Sequence, residues 1–510
     1  MSVLESWNVG SATKSHLNNT LLSRLAVAFI VYQVIAGWYR YYRSWVNLPV
    51  VGAKGLISSR KEGWRWAENG MRILQEGYEK YGDSAFQFRT ARRWEVCLCD
   101  DALVKEYMSL NDDYMSLDAF NERMFETRYT APGFAHSLHH IPVPVLSKAL
   151  AWSRVRTSGK DDLYFQELVD ELQFALGSEI PVTSNRDWQE LNCLHLGLGL
   201  MLRLISKVLV GDPLCRDPVA VNLFVKYGSA VPVSGPKIAW LPTFLKPLLG
   251  PYFAASRMHT QLSKLVAQQI RQAEGKTKEP QNIGDWMWKW VEEEAAGVYN
   301  EIHVAQLVIA ALFGSVHSAG MVLATCLFEI TLRPEYIEPL QEEAKRAERQ
   351  FGVLGREAIE SMTKLDSFIK ECQRYRPLAP ASLVRVATQD YTFKNGLTIP
   401  KGTSVLTPNL PMLRDEQYYD RPHEFDGFRF HRLGQATGRP DSFKIAGLSP
   451  KSRQFGDGRH TCPGKQLAAD MLRLILAHIL LNFDIAGLDT KLSSTYPTID
   501  QRFIFIRKRG

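Results

Sequence analysis

The stretch Phe455-Gly456-Asp457-Gly458-Arg459-His460-Thr461-Cys462-Pro463-Gly464 decides the fold, and Cys462 is its most informative residue. Pro463 suits the first turn of a helix, and residues 465–481 are apolar on one face, so Cys462 is predicted to lie at a helix N-terminus. Unpaired backbone N–H groups and the helix dipole lower a thiol pKa there, and the glycines let a large flat ligand approach the backbone. The pattern predicts a cysteine thiolate that binds a metal. A glycine-rich turn around a structural cysteine is the alternative.

This loop resembles the haem-binding loop of cytochromes P450 through Phe455, Gly458, His460, Cys462 and Gly464. The resemblance implies that Cys462 is the axial ligand of the iron in haem b (iron protoporphyrin IX), and that the other four residues form the cofactor site. Histidine stands where many members of the family have arginine, a variation that resembles fungal P450s with a GRHxCPG loop.

Composition narrows the class of protein. A chain of 510 residues suits one large helical enzyme domain. The seven cysteines form no repeated CxxC pairs, which argues against a disulfide scaffold or a zinc ribbon and favours a reducing compartment. A net charge of +7 without long Lys/Arg runs does not indicate nucleic-acid binding.

The N-terminal region carries an apolar stretch from Leu25 to Tyr39, which is long enough to span a membrane if residues 21–24 are included. Arg40 and Arg43 follow it, so the positive-inside rule places the downstream chain in the cytosol. We therefore expect residues 1–45 to carry a single-pass anchor helix at about 21–39 that contacts membrane lipid, and residues 46–510 to form the catalytic domain. The expected membrane is the endoplasmic reticulum. A cytosolic protein with an apolar N-terminal helix is the alternative.

Periodicity predicts mostly helix. A helix is expected over 62–80, two strands over 85–89 and 94–99, and helices through most of 101–350. Asn395-Gly396 marks a tight hairpin, with another strand after residue 402. The fold class is thus mainly α with small β-sheets (α+β). Together with the loop, this pattern resembles the cytochrome P450 fold with an N-terminal anchor helix.

The longest apolar helix is predicted from Leu307 to Phe328, with small and polar residues near its middle. By position it resembles the central P450 helix, in which an acid followed by threonine delivers protons to bound dioxygen. His317 stands at the acid position and Ser318 at the threonine position, so the resemblance implies a catalytic proton relay through these two residues. A core helix with tolerated polar residues is the alternative.

Glu371 and Arg374 lie three residues apart and share a helix face, in a context that resembles the P450 ExxR helix. The family adds a second arginine, here Arg429. One carboxylate held by two guanidinium groups can fix the cysteine loop, so these three residues are expected to form a structural ion-pair triad that is not catalytic.

Other basic residues suggest further contacts. Arg385 matches the family's arginine that pairs with a haem propionate, although an ordinary strand arginine is the alternative. Trp152 and Arg156 show the WxxxR spacing that many P450s use for a propionate, but the pair falls after the expected helix and is not assigned. A set of basic residues surrounds the cysteine loop and could attract an acidic reductase or could simply be solvated: Lys451, Arg453, Arg459 and Lys465.

These motifs occur in family order over residues 48–510, with a narrower similarity to fungal ent-kaurene-oxidase-type P450s of secondary metabolism. The resemblance implies a haem-thiolate monooxygenase. It would take electrons from NADPH through NADPH-cytochrome P450 reductase and use dioxygen to oxidise an apolar small molecule, such as a terpenoid or polyketide-type intermediate. A haem-thiolate isomerase or dehydratase that needs no reductase, a non-catalytic haem-binding protein and a multispanning membrane protein are the alternatives.

Overall fold

The computed structural model describes residues 6–135, 141–158, 161–180, 187–273, 279–352, 354–447, 452–487 and 499–509. Lys451, one of the basic residues expected near the cysteine loop, lies outside the described residues. The chain forms two compact units, one of residues 1–115 with 386–406 and the other of residues 116–385 with 407–510.

Helices dominate the described chain. They are α1 (Ser6–Arg43), α2 (Leu56–Tyr81), α3 (Asp101–Ser109), α4 (Leu117–Phe125), α5 (Thr127–Thr130), α6 (Val143–Arg154), α7 (Leu163–Glu179), α8 (Cys193–Leu209), α9 (Pro218–Trp240), α10 (Lys246–Leu249), α11 (Ala254–Ala273), α12 (Ile283–Glu294), α13 (Glu301–Leu332), α14 (Ile337–Phe351), α15 (Arg356–Ser361), α16 (Thr363–Tyr375), α17 (Leu410–Leu413), α18 (Arg429–Thr437), α19 (Pro440–Phe443) and α20 (Lys465–Asn482).

The strands are short. They are β1 (Val50–Val51), β2 (Ala85–Arg89), β3 (Trp94–Leu98), β4 (Met115–Ser116), β5 (Thr157–Ser158), β6 (Asp161–Asp162), β7 (Gln189–Asn192), β8 (Ala381–Ala387), β9 (Tyr391–Thr392), β10 (Thr398–Ile399), β11 (Ser404–Pro408), β12 (Phe483–Gly487) and β13 (Phe503–Lys508). The expected mainly helical fold with small sheets is confirmed.

The first unit is built around the strands that the sequence predicts. β2 and β3 pair antiparallel, with Phe86 opposite Cys97, and β11 adds parallel to β3. β9 and β10 form the predicted hairpin. Phe86 and Phe88 are fully buried, and the Tyr107 hydroxyl donates to the Val405 carbonyl at 3.2 Å. Apolar side chains on these strands therefore supply the core of this unit.

The second unit is organised around α13, which packs on α8, α11, α16 and α20. Most of its apolar side chains are buried, as are those of α8 and α20. β12, β13 and β7 form an antiparallel sheet in this unit, with β13 in the centre. The predicted helix over 307–328 is confirmed and extends further at both ends.

The helix with the length and hydropathy of a membrane span is α13 and not the expected N-terminal anchor. Within the described residues, α13 is the one helix that is long and apolar enough to cross a membrane, but 61% of its most apolar window is buried inside the protein. A buried helix of this kind is a core helix. The anchor expected at about residues 21–39 is not confirmed, although α1 runs through that stretch as continuous helix.

Candidate functional site

The cysteine loop closes on itself immediately before α20. The Cys462 N–H donates to the Phe455 carbonyl at 2.8 Å, and the Gly458 N–H donates to the Asp457 carboxylate at 2.7 Å. Gly456 and Gly458 have φ values of +73° and +60°, which side chains disfavour. The loop thus holds Cys462 three residues before Lys465, the first residue of α20, so the helix begins later than the first turn that the sequence predicts at Pro463.

The electrostatics of the Cys462 thiol differ from the expectation of a lowered pKa. Burial raises the pKa of this thiol above its usual value, while a backbone hydrogen bond from Gly464 and the nearby Lys465 charge lower it. The donors expected at a helix start are present, but burial outweighs them in the protein alone. A coordinated metal ion would supply the remaining positive charge that a thiolate needs.

A cavity of about 250 Å³ lies beside this loop. Gly456 and His460 line it from the loop, and Arg385 lines it from β8 with only 2% of its surface exposed. The structure therefore brings together two of the residues that the sequence predicts for the cofactor, on the loop and on a strand more than 70 positions earlier. The same wall contains Arg453, which is 8% exposed.

These residues fit a haem group. A cysteine sulfur is the soft donor that haem iron accepts as an axial ligand, and buried cationic side chains match the two carboxylates of the porphyrin. Cys462 would hold the iron, and Arg385 and His460 would hold the carboxylates. A side chain at Gly464 would meet nothing within 4 Å, so space remains on that side of the loop. When bound, haem iron supplies the activation of dioxygen.

Ser318 and His317 lie on α13 but do not share surroundings. Ser318 is exposed, and its hydroxyl donates to the Gly314 carbonyl at 2.9 Å. The His317 ring packs against Gly228 of α9, where an added Cβ would lie 2.2 Å from the ring Cε1. Burial lowers the pKa of this histidine, and a hydrogen bond with the Phe313 backbone offsets part of that effect.

The predicted ion-pair triad is assembled. Arg374 binds Glu371 through two hydrogen bonds of 2.7 and 2.8 Å, and both side chains are fully buried. Arg429 approaches the same carboxylate at 3.4 Å. Arg374 also donates to the carbonyls of Leu413 and Pro422. The triad therefore fixes the segment 413–429, which precedes the cysteine loop in the chain.

Arg453 lies elsewhere than the sequence suggests. Arg453 is buried in the cavity, which contradicts its expected place on a reductase-facing surface. No local pattern marks an arginine as buried, since burial depends on distant neighbours.

The Arg156 guanidinium pairs with Glu167 and lies over Trp152, so the unassigned WxxxR pair is engaged away from the cavity. Lys465 is partly exposed, and the side chain of Arg459 is outside the described part of the structure.

Comparison with known proteins identifies the family. The family model for cytochrome P450 matches residues 71–504. The chain is 44% identical to cytochrome P450 monooxygenase janQ of Penicillium janthinellum, over 89% of the chain and 90% of that relative. It is 45% identical to cytochrome P450 monooxygenase atmQ of Aspergillus flavus, over 91% and 88%, and 42% identical to paxQ of Penicillium paxilli, over 91% of both. The chain belongs to the cytochrome P450 family and is an oxidoreductase of the monooxygenase type.

Proposed function

We propose that this monooxygenase binds haem b through Cys462 and takes electrons from NADPH through NADPH-cytochrome P450 reductase. It then uses dioxygen to hydroxylate or otherwise oxidise an apolar small molecule. The observation that carries the proposal is the closed cysteine loop and the cavity beside it. His460 of the loop and Arg385 of β8 both line this cavity. Residues 46–510 would form the catalytic domain.

The cysteine assignment is tested by the reduced carbon-monoxide spectrum of the full chain. Wild type is expected to show the red-shifted band of a thiolate-ligated haem, because sulfur donates electron density to the iron. Cys462→Ala should lose that band, whereas Cys372→Ala, at a cysteine buried on α16, should keep it. An unchanged spectrum from Cys462→Ala would refute the ligand assignment.

The substrate is proposed to be a terpenoid or polyketide-type intermediate of fungal secondary metabolism. The relatives are fungal P450 monooxygenases, and the segment that follows Pro377 beside the haem cavity is mainly apolar: Leu378, Ala379, Ala381, Leu383 and Val384. An apolar segment next to the cofactor favours ligands with extended hydrocarbon surface. The holoenzyme can be titrated with panels of terpenoids and polyketides while the position of the haem absorption band is measured. The class whose members shift the band is the class that binds.

Proton delivery is proposed to run through Ser318 and His317. The exposed Ser318 hydroxyl can donate to a bound ligand, and the half-buried His317, whose pKa is lowered by burial, is neutral at pH 7 and can accept a proton. Ser318→Ala is expected to reduce product formed per NADPH consumed by tenfold or more, as loss of general acid catalysis does. Ser315→Ala on the same helix is the control, because it removes a hydroxyl that makes the same kind of backbone hydrogen bond, to the Ala311 carbonyl, at a position outside the proposed relay.

The altered His317-Ser318 pair also favours a second candidate, an isomerase or dehydratase that works without a reductase. Omitting NADPH and the reductase separates the two functions. A monooxygenase stops, whereas an isomerase continues to convert its substrate. A haem-binding protein without activity would turn over no substrate under either condition.

Membrane attachment is proposed through α1, with the catalytic domain in the cytosol at the endoplasmic reticulum. Val27, Ile30, Ile35 and Trp38 are each more than half exposed on this helix, which is unusual for apolar side chains in water. Removing residues 1–38 should release the protein from membranes. The cut spares Tyr41 and Ser44, whose side chains bond to the Lys54 carbonyl and the Trp94 N–H. A truncated chain that stays folded and membrane-bound would contradict the anchor.

A further inference from the structure

Arg89 is a buried arginine of the first unit that the proposed function does not use. It is the last residue of β2, directly opposite Trp94 of β3, and only 5% of its surface is exposed. Its guanidinium carbon lies 5.3 Å from the centre of the Tyr41 ring and 5.8 Å from the centre of the Trp94 ring. These rings attract the cation, but they do not replace the acceptors that its N–H groups need.

Hydrogen-bond donors without acceptors gather around this arginine. Within the described residues, the Nε and Nη1 atoms of Arg89, the Nε atom of Arg40 and the indole Nε1 atom of Trp94 are buried and have no hydrogen-bond partner. Buried donors are rarely left unpaired in proteins, because an unmade hydrogen bond there is costly. All of these groups are donors, which indicates a missing ligand that is rich in acceptor oxygens.

The charge of the same region indicates an anion. Burial, together with the positive charges of Arg60 and Arg40, lowers the pKa of Arg89 to about 10. Burial and the charge of Arg60 also lower the pKa of Arg40. In the described part of the first unit, no carboxylate is among the charges that act on Arg89 or Arg40. These three residues, from α1, α2 and β2, form an arginine cluster whose members repel one another.

Hydrogen bonds at the end of α1 hold this cluster in place. The Ser44 hydroxyl donates to the Arg40 carbonyl at 2.6 Å and accepts the Trp94 backbone N–H at 3.0 Å. Gln87 is fully buried on the same strand as Arg89, and its side chain accepts the Val46 N–H at 3.2 Å. The chain that leaves α1 is therefore fixed on the strands that carry the buried arginine.

The position of α1 relates the cluster to lipid headgroups. Arg40 directly follows the apolar stretch that ends at Tyr39. Trp38 and Tyr39 are 54% and 66% exposed, and such aromatic side chains favour the interface between membrane and water. If α1 anchors the protein, Arg40 lies at the depth of the phosphates of the cytosolic leaflet.

We propose that Arg40, Arg60 and Arg89 bind the phosphate of an anionic phospholipid, a site that rests on the membrane attachment proposed above for α1. Arg60 is exposed and Arg40 is partly exposed, so both can reach a headgroup, and Arg89 supplies a third positive charge beneath them. Guanidinium groups bind phosphate through paired hydrogen bonds, and basic residues next to a membrane anchor attract anionic lipids.

The test measures lipid binding to the full-length holoenzyme in detergent by native mass spectrometry. Wild type is expected to bind one dioctanoyl phosphatidylserine about tenfold more tightly, or more, than dioctanoyl phosphatidylcholine. Arg60→Gln, at an exposed position, should weaken phosphatidylserine binding by about fivefold, and Arg89→Gln should do the same. Arg43→Gln should match wild type, because Arg43 is an exposed arginine of α1 whose charge does not act on Arg40 or Arg89.

Equal losses in Arg60→Gln and Arg43→Gln, or equal affinities for the two lipids, would overturn the proposal. Glycerophosphoserine carries the same phosphate without acyl chains and should compete about tenfold more weakly or worse. Equal competition would assign the cluster to a soluble phosphate ester and overturn the lipid site. Sedimentation with vesicles of neutral phosphatidylcholine reports on α1 separately, and a wild type that stays in solution there shows that the anchor, and not the phosphate site, has failed.

Discussion

The ion-pair triad of Glu371, Arg374 and Arg429 depends on the buried carboxylate of Glu371. It faces the guanidinium groups of Arg374 and Arg429 and also accepts the Asp426 N–H at 2.9 Å. Glu371→Gln would leave two buried guanidinium groups without their counterion, so we expect a loss of about 3–5 kcal/mol in the free energy of unfolding. Urea unfolding and the haem-to-protein ratio measure the effect.

A matched control exists at the same helical spacing. Arg421 and Glu424 form an ion pair three residues apart, but both side chains are more than 60% exposed. Water and salt screen such a pair, so Arg421→Gln should leave the urea midpoint unchanged. Equal effects at the buried and exposed pairs would contradict a special role for the triad.

Gly228 of α9 is predicted to matter only because His317 lies against it. A Cβ at residue 228 would clash with the ring, so Gly228→Ala should lower the free energy of unfolding by about 1–3 kcal/mol. In a His317→Ala background the ring is absent, and the same change should stabilise the protein by about 0.5–1 kcal/mol, because alanine has the higher helix propensity. The double-mutant cycle measures the coupling directly. Additive effects would mean that α9 is strained for another reason.

The residues of the site differ in how far the sequence reveals them. Cys462, Glu371 and Arg374 could be predicted, because a glycine-rich loop before a helix and an i,i+3 ion pair are local patterns. The burial of Arg453 and the contact between His317 and Gly228 could not. Both depend on side chains that meet only after residues far apart in the chain pack together.

At the scale of elements, the crossing of α8 and α13 depends on two glycines. A Cβ on Gly197 would lie 2.4 Å from the Gly320 carbonyl oxygen, and backbone atoms cannot rotate away. Gly197→Ala should therefore separate the helices and lower the free energy of unfolding by about 1–3 kcal/mol. Gly177→Ala in α7 is the control. Its Cβ meets nothing within 4 Å, so higher helix propensity should stabilise the protein by about 0.5–1 kcal/mol.

The periodicity of the sequence predicts which segments are helices and which are strands, but it does not predict which of these elements pair with each other. The strands β2 and β3, the β9–β10 hairpin and the helices α13 and α20 lie where the apolar patterns place them. The pairing of β13 with β7 joins Phe503 to Asn192, more than 300 positions apart. A strand of four to six residues carries too little local information to name so distant a partner.

At the scale of the whole molecule, the buried histidines set the response of stability to acid. His259 of α11 is 2% exposed, lies beside the Tyr227 ring and contacts the Ser263 hydroxyl, and burial lowers its pKa to about 4. Its pKa in the unfolded chain is about 6.5, so the unfolded state binds more protons between these values. The stability contributed by this histidine is complete above pH 6.5 and is lost as the pH falls towards 4.

The expected loss for His259 is roughly 3 kcal/mol across that window, and His317, whose pKa is also lowered by burial, adds in the same direction. Urea unfolding between pH 4 and 8 measures the slope. His259→Gln should flatten the slope, because an amide does not titrate, whereas His195→Gln, at an exposed histidine, should retain it. A slope that survives in the His259→Gln variant would place the acid sensitivity on other groups, with the carboxylates of the ion-pair network as the first to test.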